Sequence, residues 1–241
     1  MARLPFPLLL LLVGCPSTPP AVEPTPEPTP EPTPIPVLYE DAVANLDVAR
    51  KDLGRRWMNA TDDDARAAVL VDARDTLRAA IRDELMPPWF GTPWAYSGTS
   101  EEPGRGSIAC GYFVSTVLRD AGLSVERVRL AQQASAHIVR TFDRDAPWLT
   151  GQTPLQVTRA VRERGAGLYA VGLDYHVGFL SWDGEGPVEL CHSSVLFPGS
   201  VLCEDAVRAE AMISRVHVLG DVLTDGVVEA WIEGKRIPTA G

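Results

Sequence analysis

Cys110, His176 and His192 are the residues of this chain whose types and order suit covalent chemistry. Cys110 stands in Ala109-Cys110-Gly111-Tyr112-Phe113-Val114, where a loop gives way to a helical pattern. Phe113, Val114, Val117 and Leu118 recur on one face, and Gly122 offers a stop. A thiol at a helix start meets unpaired N–H groups and the positive end of the helix dipole. Both favour the thiolate, the nucleophilic form. Such a nucleophile needs a base to take its proton and a third polar group to orient that base. His176 begins the strand-like run His176-Val177-Gly178-Phe179-Leu180, and His192 ends the next run, across a turn at Asp183-Gly184. In a hairpin the end of the second strand lies beside the start of the first, so the two imidazoles are expected to be neighbours. One of them can then serve as the base and the other as the group that orients it. Each residue alone has a plainer reading, since free cysteine is most often a buried core residue. A lone histidine is more often a hydrogen-bonded core or turn residue. The convergence of all three favours catalysis.

The other histidines read as structural: His137, in Ser135-Ala136-His137-Ile138, and His217, in a late strand-like run. A zinc site is the competing use of cysteine and histidine. Cys191 and His192 are adjacent and poorly placed to share one ion, and no C-x-x-C or H-x-x-x-H pair occurs. Neither a metal nor a cofactor is expected.

The elements that must position these residues divide into helices followed by strands. Residues 38–57 carry Val43, Leu46, Leu53 and Trp57 on one side; a second helix starts at Thr61, ahead of three aspartates, and runs to about Leu85 before Pro87-Pro88. Both have alternating charges on their outer faces and are assigned packing or partner docking. After an irregular stretch comes the Cys110 helix, then a helix over 154–164 capped by Thr153 and ended by Gly165. Strands are expected over 168–171, 176–182, 188–192, 200–203 and 213–219, with a last hairpin of 227–232 against 236–237 around Glu233-Gly234. This pattern predicts an α+β domain: the nucleophile helix on a mainly antiparallel sheet, with two N-terminal helices.

The chain ahead of that domain has its own organisation. Residues 1–14 read as a signal peptide, Arg3 followed by an apolar run too short to span a bilayer. The run ends Leu12-Val13-Gly14-Cys15, which resembles the lipobox of bacterial lipoproteins, in which the cysteine is acylated after cleavage. The alternative is an ordinary secretory signal with an incidental cysteine. Residues 15–37 then form a tether rich in proline, glutamate and threonine. Its segment Pro16 to Pro36 reaches on the order of 65 Å if extended as polyproline II. The remainder divides into a helical segment, 38–88, and a domain over 89–241. The net charge of −10 argues against nucleic acid and against electrostatic attraction to anionic lipid. If Cys15 is acylated, three cysteines remain, so at least one thiol stays free in an oxidising compartment. Cys191 and Cys203 face one another if Phe197-Pro198-Gly199-Ser200 turns a hairpin; two buried thiols are equally consistent.

The chemistry-bearing motifs together resemble one family. Cys110 to Leu123 resembles the nucleophile helix of the NlpC-type cell-wall cysteine peptidases, papain-like enzymes whose usual motif is Asp-Cys-Ser-Gly-Phe-Val. His176-Val177-Gly178-Phe179 is similar to the family's His-Val-Gly-Ile/Val strand, which carries the base. Cys191-His192-Ser193-Ser194 is similar to the following His-Ala-Ser strand, which supplies the orienting histidine. Pro93-Trp94-Ala95-Tyr96-Ser97-Gly98 resembles the Pro-Tyr-x-Trp/Phe-Gly-Gly segment, whose tyrosine lies near the nucleophile. The likeness covers residues 91–204. Ala109 replaces the aspartate before the cysteine, Gly111-Tyr112 replaces Ser-Gly, Trp94 stands at the usual tyrosine, and the Gly-Asp-Leu turn before the histidine strand is absent.

The resemblance implies a papain-like fold and a Cys110-His176-His192 triad, with Tyr96 and Gly111 in the pocket and a helix-start N–H in the oxyanion hole. It implies an amidase or endopeptidase acting on peptidoglycan peptides, held to the bilayer by acylated Cys15. Pro16, in place of the aspartate that signals inner-membrane retention, points to the outer membrane. Deamidation, transglutamination or acyl transfer on another amide substrate is the alternative within the fold, and a non-catalytic binding lipoprotein the alternative outside it.

Overall fold

Two helices open the described part of the chain, residues 38–240 of a computed structural model; the expected signal peptide, Cys15 and the tether lie outside it. Helix α1 (Tyr39–Asn59) buries Ala42, Leu46 and Leu53, and α2 (Asp63–Ala79) buries Val69, Ala73 and Leu77, one stripe each at helical spacing. Asp62, rather than Thr61, caps α2: its carboxylate accepts the N–H of Ala65 at 2.8 Å, while the Thr61 side chain stays outside. α2 widens into a π-helical segment, Ala80–Leu85, which turns Ile81 and Leu85 inward, and a short 3-10 turn, Pro87–Trp89, ends it at the two prolines.

Next come α3 (Cys110–Asp120), two short helices α4 (Arg127–Ala131) and α5 (Ser135–Arg140), strand β1 (Trp148–Thr150) and α6 (Pro154–Arg164). α6 starts on a capping box between Thr153 and Gln156 and ends at Gly165. Strands β2 (Gly167–Leu173), β3 (Val177–Trp182), β4 (Glu189–Ser193), β5 (Val201–Asp205) and β6 (Val216–Asp221) follow, and α7 (Asp225–Glu233) closes the chain. The six strands form one antiparallel sheet in the order β1-β6-β2-β3-β4-β5. The α+β class and the antiparallel sheet agree with the sequence reading.

One expected element is replaced. Residues 225–233 are helix α7, not the first strand of a hairpin. Val227, Val228, Trp231 and Ile232 recur at helical spacing and are buried, and Gly234 ends the helix in the left-handed conformation at φ 66°. Trp231 donates its indole N–H to the Ala121 carbonyl at 2.7 Å, fixing α7 against the end of α3.

Apolar residues cover both faces of the sheet. Leu168, Ala170, Val177 and Phe179 point to the side of α1, α2, α3 and α7, in one core that reaches back to Leu46 and Leu77. Tyr169, Val171, Leu180 and Leu190 point to the other side, where Val157 and Val161 of α6 cover them. This three-layer arrangement explains why the strands read as nearly unbroken apolar runs rather than alternating ones. Residues 38–88 and the rest of the described chain share this core and form one compact unit.

Candidate active site

Cys110 is the first residue of α3, entered from an extended Ala109 at φ −81° and ψ 160°. The entry is held in place from two directions. Ile108 and Ala109 donate their N–H groups to the carbonyls of Pro93 and Gly98, both at 2.9 Å, and Ser193 of β4 donates to the Ile108 carbonyl at 2.6 Å. The helix start is therefore tied both to the 93–98 segment and to the strand that carries His192.

His176 sits in the β2–β3 turn. Leu173 donates to the His176 carbonyl at 2.8 Å, and the Asp174 carboxylate accepts the N–H of Arg215 at 2.7 Å and the hydroxyl of Ser214 at 3.0 Å. Cys110 and His176 line the same cleft, of about 250 Å³, whose other walls include Gly111, Gln133, Ser135 and Tyr175. Larger hollows, of about 440 Å³ at the 97–107 loop and about 590 Å³ between Arg119 and Gln133, hold neither cysteine nor histidine.

The two expected histidines meet. Nε2 of His176 lies 2.7 Å from Nδ1 of His192, with the rings edge to face. His192 is fully buried on β4, and Gly178 makes the room: a Cβ there would come within 3.0 Å of the His192 Cβ and 3.1 Å of the Cys191 carbonyl. The glycine after His176-Val177 thus serves the histidine on the neighbouring strand.

A fourth polar residue extends the row. Oε1 of Glu204, on β5, lies 3.0 Å from Nε2 of His192. The sequence reading did not single it out, although its signal was there. Cys191 pairs with Cys203 in the β4–β5 register and the two are joined by a disulfide, so His192 and Glu204, each one residue on, share the opposite face as diagonal neighbours. The disulfide decides between the two readings of those cysteines, and Cys110 is the free thiol among the described residues.

Charge at the site is governed by burial. The N–H groups of Val177, Gly111 and Cys110 itself favour the Cys110 thiolate, but burial outweighs them and raises the thiol above its ordinary value. The helix start favours the thiolate as expected, but it is not the larger influence. Burial also pushes His176 down to about 4. Burial, with His176 alongside, pushes His192 down to about 3. Burial and Glu210 raise the Glu204 carboxyl. Near neutral pH the site therefore rests as a thiol beside two uncharged imidazoles.

Of the expected pocket residues, Gly111 lines the cleft and Tyr96 does not. The 93–98 backbone does reach the start of α3, but the Tyr96 side chain is 89% exposed in a loop and turns to solvent. The sequence departures around the cysteine have a packing cause. A Cβ at Gly111 would lie 2.3 Å from the Ala131 carbonyl oxygen, so the backbone of α4 presses on α3 where the related motif has serine. Tyr112 lies under the Arg127 guanidinium at 4.9 Å and accepts from Gln132 at 3.2 Å. Arg127 itself, nearly buried, donates to Thr116 and to the carbonyls of Thr99 and Ser100. His137 is exposed on α5, and His217 is buried with Nε2 against the Met212 carbonyl at 3.0 Å; neither lines the cleft.

Comparison of the chain with protein-family models, with curated proteins and with solved structures finds no match. Among the described residues, no helix is long and apolar enough to cross a membrane.

Proposed function

We propose that this protein is a papain-like cysteine hydrolase of the NlpC type that cleaves amide bonds in peptidoglycan peptides. The observation that carries the reading is the convergence of Cys110, His176 and His192: thiol and first imidazole in one cleft, second imidazole 2.7 Å behind the first. In this reading the Cys110 sulfur attacks the carbonyl carbon while His176 takes the thiol proton. N–H groups of the first turn of α3, which have no acceptor within the helix, face the developing oxyanion. His176 returns the proton to the leaving amine as the C–N bond breaks. Water then attacks the thioester, giving its proton to His176, and the acid leaves as the thiol re-forms. His192 holds the orientation of His176 and shares the charge it acquires.

The peptidoglycan substrate rests on the motif resemblance. The envelope location, on the outer membrane through acylated Cys15, rests on the N-terminal sequence alone. The packing of α4 on Gly111 and Tyr112 favours one second reading, transfer of the acyl group to an amine, or deamidation, on a different amide substrate. It does so because it reshapes the pocket wall next to the nucleophile.

The test is incubation of the purified protein with peptidoglycan fragments and identification of the products by mass spectrometry, beside labelling with iodoacetamide. Cys110→Ala is expected to abolish both cleavage and active-site labelling. Retention of either overturns the reading, and an amine-linked product in place of a free acid selects acyl transfer.

A further inference from the structure

We infer that Glu204 is a positioning residue that sets the direction of the protons along His192 and His176, leaving Nδ1 of His176 bare to receive the Cys110 proton; the inference rests on the catalytic reading above. The contact between the two imidazoles is symmetric by itself. Each neutral ring has one N–H, and either ring can donate to the other across 2.7 Å. Only one of the two orders is productive. If His192 donates from Nδ1, then His176 carries its proton on Nδ1 and has no lone pair left for the thiol. If His176 donates from Nε2, then Nδ1 is free.

Glu204 removes the symmetry. An ionised carboxylate only accepts, so Nε2 of His192, 3.0 Å from Oε1, carries the proton. Nδ1 of His192 is then an acceptor, and His176 must donate to it from Nε2. His192 is fully buried, so bulk water does not compete for either nitrogen. The Glu204 side chain is 35% exposed at the edge strand of the sheet, where a carboxylate keeps part of its hydration. The Cys191–Cys203 disulfide, between the residues that immediately precede His192 and Glu204, holds the diagonal register on which the contact depends.

Three substitutions test this, because residue 204 can be made an acceptor, a donor or neither. At about pH 8, where both imidazoles are neutral, the ¹⁵N shifts of their ring nitrogens report the tautomers directly. Glu204→Asp keeps a carboxylate, which only accepts, and is expected to keep His176 protonated on Nε2. Glu204→Lys offers only donors and is expected to move that proton to Nδ1. Glu204→Ala is expected to give a mixture. The rate of Cys110 alkylation by iodoacetamide should fall about 10- to 100-fold in the lysine variant, the worth of a hydrogen bond to a charged group, and stay within about threefold in the aspartate variant. A lysine variant with His176 still protonated on Nε2, or an aspartate variant as slow as the lysine one, overturns the inference. A protein that cuts no amide while its tautomers follow residue 204 upholds this inference and overturns the hydrolase reading.

Discussion

Replacing Gly111 by serine, the residue that the motif it resembles carries after the cysteine, tests how α4 packs on α3. The new Cβ would lie 2.3 Å from the Ala131 carbonyl oxygen, against 3.4 Å for an ordinary contact, so one backbone must retreat by about 1 Å. The obstructing atom belongs to the main chain and cannot swing away as a side-chain tip would. Overpacking of this kind costs roughly 1–3 kcal/mol. Serine regains about 0.5 kcal/mol of helix propensity over glycine, leaving a net loss of about 0.5–2.5 kcal/mol. For a domain of this size that lowers the melting temperature by roughly 1–10 °C. Thermal unfolding followed by circular dichroism measures it. Gly226→Ala is the control, since nothing lies within 4 Å of a Cβ there, and it is expected to be neutral or slightly stabilising. The displacement would also carry Gln133 and Ser135 with α4, so Cys110 alkylation should slow. A serine variant as stable as the parent would refute the close approach, and with it the account of why the motif departs at this place.

Further outcomes follow from the same geometry. Because burial holds His176 neutral down to about 4, the folded state binds fewer protons than the unfolded chain between that value and about 6.5. Stability is therefore full at neutral pH and falls on acidification through this window, by about 3 kcal/mol from this group. Urea midpoints at pH 7 and pH 4.5 should differ less in His176→Asn than in the parent, and an equal difference contradicts the shift. Removing the disulfide with Cys191→Ala and Cys203→Ala, twelve residues apart, should cost about 3 kcal/mol in urea unfolding and slow alkylation of Cys110 by loosening the β4–β5 register. Unchanged alkylation would separate that register from the site. Gly178→Ala, with its Cβ 3.0 Å from that of His192, should displace the second imidazole and reduce labelling; full labelling would argue against the tight seat.

Cys110, His176 and His192 were legible because each carries a local signal: a cysteine at a loop-to-helix change, and histidines at facing ends of a hairpin whose turn, Asp183-Gly184, is strongly marked. Glu204 needed long-range information, the pairing of Cys191 with Cys203, which sequence left open. The short helices α4 and α5 span five and six residues, too few for a periodic signal, so their pressure on Gly111 was invisible beforehand. Residues 225–233 misled because β-branched Val227, Val228 and Ile232 suit a strand locally, while burial of Trp231 against α3 selects a helix. The state of the Cys110 thiol follows the same pattern. The helix start is a local feature, and the burial that outweighs it comes from the assembled fold.

A row of rings gives the N-terminal helices a different standing from that of an accessory. Tyr39 of α1, Trp89, Phe113 of α3 and Phe179 of β3 stack edge to face in sequence, with centroids 6.2, 6.4 and 6.1 Å apart. The row runs from the first turn of α1 to the strand that follows His176. A protein cut at residue 88 would keep every reactive group yet open one end of this row to water. The frame around Cys110, His176 and His192 thus extends over the whole of residues 38–240, and a transplant of residues 91–204 alone would carry those side chains without the helices that complete their packing.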